Sequence, residues 1–125
     1  MRLGLALLGL ALISAACASS SQPRVQAKAE MEFGVDAARR AYWQEALFRF
    51  ERARALDPHD AKVLNNLAVA LEALGRYDEA LSTYKEALQD SPNNGLIRKN
   101  YARFAEFYTS YAKGVKPKEG PDAPR

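Results

Sequence analysis

The sequence predicts an all-α fold, an antiparallel helix-turn-helix solenoid of two repeats closed by a C-terminal capping helix. Three observations carry this. The stretch Ala61 to Asn94 recurs 34 residues earlier: Tyr77 and Ala80-Leu81 fall on Trp43 and Ala46-Leu47, Tyr84 on Phe50, Ala87 on Ala53, Pro92 on Pro58. A fixed period at which small, aromatic and proline positions all coincide marks a helical repeat array. Within each copy, apolar residues return at helical spacing on both sides of a short hinge, Leu74-Gly75-Arg76 in the second copy. Beyond Gly95, Ile97, Tyr101, Phe104, Tyr108 and Tyr111 form one apolar stripe with no second helix following it.

The small positions have a packing reason. Two antiparallel helices approach closely only where a small side chain faces a large one, so Gly34, Ala46 and Ala53 leave room for Phe33, Trp43 and Phe50. Ala68, Ala80 and Ala87 do the same for Leu67, Tyr77 and Tyr84. Gly75 stands where a helix ends in the left-handed conformation, a place held by Ala41 in the first copy. Pro58 and Pro92 close their repeats, because the residue before proline is driven out of the helical region. These residues at these spacings resemble the tetratricopeptide repeat, although Glu30 and Leu64 stand where that family has a Trp.

Taken in order, the chain opens with Met1-Arg2 and an uncharged run from Leu3 to Ala16, shorter than the roughly 20 residues a membrane-spanning helix needs. A basic start, an apolar middle and small residues before Cys17 are the parts of an export signal, assigned to residues 1–16. With its Cys after Ala15-Ala16, this stretch resembles a bacterial lipoprotein signal, although Ser14 stands where such signals usually carry Leu. The resemblance implies lipidation at Cys17. Ala18 in place of an Asp implies the outer membrane, with the domain facing the periplasm. The alternative is ordinary signal cleavage near Ala16 or Ala18, giving a soluble periplasmic or secreted protein. Residues 17–26, small and polar at the start, read as a flexible tether reaching about 35 Å at most.

Residues 27–113 form the repeat domain: repeats at 27–60 and 61–94, with first-repeat helices near 27–40 and 43–56, then the capping helix at 95–113. Asp60 and Asn94 are placed as N-caps. Two repeats alone give few neighbour interfaces, and the fifth helix covers the open end. Residues 114–125, with Gly114 and three prolines, read as a disordered tail.

A net charge of +3 with acids and bases interspersed along every helix gives no basic face for nucleic acid. One Cys excludes an internal disulfide, and one His excludes a His-based metal cluster. His59 lies in the turn Asp57-Pro58-His59-Asp60 and Cys17 far ahead of it, so no nucleophile–base pair is apparent. No carboxylate pair has a reason to face another across a cleft; Glu86 and Asp90 look uncompensated on their own helix. Arg49, Arg52 and Arg54 read as a solvated convex face. The sequence therefore points away from an enzyme, and no cofactor or metal is expected.

In the tetratricopeptide-repeat family the first helix of each repeat lines a concave face that receives a peptide or protein. Carried over, that face is expected at Lys62, Asn65, Asn66 and Val69 of the second repeat and at Lys99, Asn100, Arg103 and Phe107 of the capping helix. Phe107, about 60° around the helix from Phe104, is either an edge of the core or an aromatic anchor for a partner. Met31 and Val35 replace the Lys and Asn of the family's carboxylate clamp, and only Asn66 matches it. The reading is a membrane-anchored interaction module, monomeric or weakly self-associating. Its rivals are an assembly lipoprotein of a pilus or secretion system, which small repeat lipoproteins resemble, a structural protein self-assembling through the C-terminal helix, and an accessory enzyme subunit.

Overall fold

The computed structural model describes residues 21–114, which form five helices: α1 Gln22–Arg39, α2 Trp43–Leu56, α3 Ala61–Ala73, α4 Tyr77–Asp90 and α5 Gly95–Ala112. No strand occurs among the described residues. The expected export signal, Cys17 and the tail after Gly114 lie outside them.

Each helix packs on the next, so α1/α2 and α3/α4 are hairpins and α5 covers the end of the second. The hinges match the repeat. Gly75 has φ of +75° and its counterpart Ala41 +60°. An alanine at positive φ sets Cβ against its own backbone, at a cost of about 1–2 kcal/mol. Glycine there relieves that cost but loses part of the gain through a more disordered unfolded chain. Ala41→Gly is expected to stabilise the fold by about 0.5–1 kcal/mol, read as a higher urea midpoint at unchanged slope.

The caps stand where the side chains place them. Asp60 accepts from the backbone N–H groups of Lys62 and Val63 at 2.8 and 3.3 Å, and Asn94 from those of Leu96 and Ile97 at 3.1 and 3.2 Å. Each satisfies donors that a helix start leaves open.

Small-against-large packing is most severe at Gly34. A Cβ there would sit 2.5 Å from the Phe50 ring. Ala46, Ala53, Ala80 and Ala87 are completely buried, as is Tyr84. Two expectations fail. Helix α1 starts at Gln22 and not near residue 27, so the last five residues of the supposed tether are helical. Ser-Gln-Pro reads as loop by composition, yet proline is well tolerated in the first turn, where its missing N–H has no partner to lose. Phe33 is 60% exposed, not seated against Gly34. Its counterpart Leu67 is buried because the first repeat precedes α3, whereas no described helix precedes α1.

Candidate partner-binding face

The proposed face lies on α3 and α5. Its centre is an asparagine bridge. Asn65 is buried, accepts from Asn100 Nδ2 at 3.0 Å, and donates through Nδ2 to Asn66 Oδ1 at 3.4 Å. Removing either partner leaves a buried amide unsatisfied, which makes Asn65 a tie between α3 and α5 and not a ligand contact. Its neighbours keep polar capacity: Asn66 retains its Nδ2 donors and Asn100 its Oδ1 acceptor, both residues being half-buried. Val69, also half-buried, lies one turn beyond Asn65 on α3. Lys62 is exposed and makes no ion pair among the described residues.

Three other expected site residues are placed differently. Arg103 is committed to Glu72, its Nη1 and Nη2 donating to the two carboxylate oxygens at 2.7 and 2.9 Å. The same carboxylate accepts from the buried Tyr84 hydroxyl at 3.1 Å. Burial, and then the neighbouring Glu72 charge, push the Tyr84 phenol well above its ordinary value, so it remains a donor at neutral pH. Glu72 thus joins α3, α4 and α5. Phe107 is half-buried on the edge of the core, 5.0 Å from the Tyr77 ring in a T-shaped contact and 6.1 Å from Tyr111 in a stack. It is the edge of the core and not a free anchor, because its ring is engaged by those of Tyr77 and Tyr111. Lys99 lines a depression of about 530 Å³ with Leu88, Pro92, Arg98, Tyr101 and Ala102, away from the asparagines.

The charges of the second helices are also tied down. Glu86 accepts from Arg54 at 2.7 Å and is therefore paired across the helices, and the Asp90 carboxylate lies within hydrogen-bond reach of His59 Nδ1 at 3.3 Å. Arg49 and Arg52 both reach Glu30, at 3.1 and 2.9 Å, and do not form a merely solvated face. Among the described residues no group of three or more His, Cys, Asp or Glu side chains is arranged to hold a metal, and every buried side-chain N or O atom has a partner.

The comparisons with known proteins agree with the helical-repeat fold. A relative in Dictyostelium discoideum, Protein STIP1 homolog, is 29% identical over 87 residues, 70% of this chain and 15% of that protein. Photosystem I assembly protein Ycf3 of Synechococcus sp. (strain CC9605) is 30% identical over 83 residues, 58% of this chain and 48% of that protein. This chain therefore spans about half or less of either relative's length. The solved structure of MamA D159K mutant 2 shares the fold, with a TM-score of 0.59 over 86% of this chain and 65% of that one, at 23% identity. A family model described as tetratricopeptide repeat matches residues 31–95, just over half of the chain. Together with the repeat geometry this match identifies the chain as a member of the tetratricopeptide repeat family.

Proposed function

We propose that this protein is a non-enzymatic interaction module, anchored through a lipidated Cys17 at the periplasmic side of the outer membrane, that holds an extended peptide segment of a partner protein. The observation that carries the binding reading is the asparagine bridge. A buried Asn65 fixes Asn66 and Asn100 side by side, one offering a donor and the other an acceptor, which is the complement of a peptide unit's C=O and N–H. Side chains held in place before binding lose little entropy on complex formation. Val69 supplies an apolar contact, and Lys62 a cation for an acidic residue on the partner. Arg103 and Phe107 lie farther along α5, held by Glu72 and Tyr77. The name of Photosystem I assembly protein Ycf3 supports an assembly role.

A photo-reactive residue at Lys62, which leaves the asparagine bridge intact, is expected to capture the partner in the living cell, while one in place of Lys113, just past the last turn of α5, is not. The double change Lys62→Glu with Asn66→Asp, which keeps the Oδ1 acceptor for Asn65 and removes the free donor, should lower recovery in a pull-down by about thirtyfold, two interface contacts at about 1 kcal/mol each, with little change in the melt. Capture from Lys113 alone would overturn the assignment of the face. The same cells report the anchor: the wild-type chain should incorporate labelled fatty acid, and Cys17→Ala should not.

A further inference from the structure

Among the described residues, the cation–π contacts gather on the open face of the first repeat. On it, one guanidinium collects two exposed aromatic rings, Arg49 Cζ lying 5.4 Å from the Phe33 centroid and 5.6 Å from that of Phe48. Arg52 Cζ lies 5.6 Å from the Phe48 ring, and Glu30 bonds both arginines. Phe33 is 60% exposed, Phe48 48% and Val25 68%. Val25 lies two turns before Phe33 on the same side of α1, extending the apolar surface by about 12 Å toward the N-terminus. The counterparts of Glu30, Phe33 and Arg49 one repeat on are Leu64, Leu67 and Thr83, all buried.

We infer that this face, Val25, Phe33 and Phe48 with Arg49 and Arg52, lies against a phospholipid surface, with the rings entering the headgroup–acyl boundary and the arginines taking lipid phosphates. The inference rests on the anchored reading given above. Because α1 begins at Gln22, only about 17 Å of chain separates Cys17 from the first helical turn, half the reach expected of the whole tether. A domain on so short a leash touches the bilayer, and the question is with which face. Val25, in the first turn of α1, begins an apolar and cationic surface close to the leash. Aromatic rings flanked by Arg are suited to the membrane interface. Arg49 uses Nε and Nη1, and Arg52 its Nε, on Glu45 and Glu30, so Arg49 Nη2 and both Nη groups of Arg52 remain as donors to phosphate. Docked so, the α3/α5 face stays open to a partner.

The test uses the mature chain, Cys17 to Arg125, coupled through Cys17, its sole cysteine, to a maleimide phospholipid in vesicles of phosphatidylcholine and phosphatidylglycerol. Coupling fixes the anchor whether or not the cell lipidates Cys17, so failure of the docking is distinguishable from failure of the anchor assignment. Hydroxyl-radical labelling then compares Phe33 and Phe48 with Leu96 and Tyr111, which are 63% and 52% exposed on α5. Relative to chain coupled to a small soluble maleimide, labelling of Phe33 and Phe48 should fall about threefold or more on vesicles, while Leu96 and Tyr111 change little. Equal change at all four positions would overturn the inference. So would protection of Phe33 and Phe48 without vesicles that deepens with protein concentration, which would mean that a second copy covers this face.

Discussion

Gly34→Ala is expected to cost about 2–3 kcal/mol of stability, although it adds a single methyl group. Alanine is ordinarily the better helix former by about 1 kcal/mol, so propensity alone predicts the opposite sign. Packing decides it: the new Cβ would lie 2.5 Å from a Phe50 ring that is 2% exposed and enclosed between the two hairpins. That ring has no empty volume to move into, so α1 must shift away from α2 along the first hairpin. Urea unfolding followed by helical circular dichroism measures the effect. Gly34→Ala combined with Phe50→Leu should recover part of the loss, since the smaller side chain vacates the collision. A stabilising Gly34→Ala would mean that the close approach of α1 and α2 is wrong.

Glu72→Ala is expected to cost about 2–3 kcal/mol, mostly through the group it abandons. With the carboxylate gone, the hydroxyl of the completely buried Tyr84 has no acceptor, and an unsatisfied buried polar group costs about 1–3 kcal/mol. The fork between Glu72 and Arg103 adds a smaller amount, because the Arg103 side chain is 58% exposed and solvent screens it. Glu72→Gln keeps an acceptor for Tyr84 and should cost less. Tyr84→Phe in the Glu72→Ala background should add little further loss, and a double-mutant cycle isolates that coupling. Full additivity of the two changes would show that the hydroxyl and the carboxylate do not depend on each other.

Much of the fold was legible because the repeat writes the same physical demand twice. Tyr84 and Phe50, Ala87 and Ala53, Gly75 and Ala41 occupy equivalent places, and Asp60 and Asn94 cap the helices that follow them. The failures cluster where the period has no second copy to compare. Phe33 and Glu30 sit at core positions of the repeat with nothing described ahead of them, so the one is exposed and the other is drawn to two arginines. The start of α1 at Gln22 was hidden by a composition that suits a loop and a helix start equally. The candidate face was read only in part, because a helical wheel shows which way a residue points and not what waits there: Arg103 meets Glu72, and Phe107 meets Tyr77. A signal for the first of these was present. Polar pairs 31–35 residues apart recur as Arg54 with Glu86, His59 with Asp90, Glu72 with Arg103 and Asn65 with Asn100. Their separations scatter around the 34-residue period without matching it, so a search for polar partners at roughly one repeat length, and not the strict period, brings them out.

Those ties have a kinetic meaning. The side-chain ties described above span at most 35 positions, from Asn65 to Asn100. The loop closed in forming any of them is about one repeat long, and the closure entropy grows only slowly over such lengths. A chain whose contacts are this local has a low contact order, for which folding in microseconds to milliseconds is typical. The hairpin α3/α4, with neighbours on both sides, is the natural nucleus, and order spreads from it to α1/α2 on one side and α5 on the other. Each end then attaches by its own interface, so the first repeat and the capping helix can open separately while the middle stays folded.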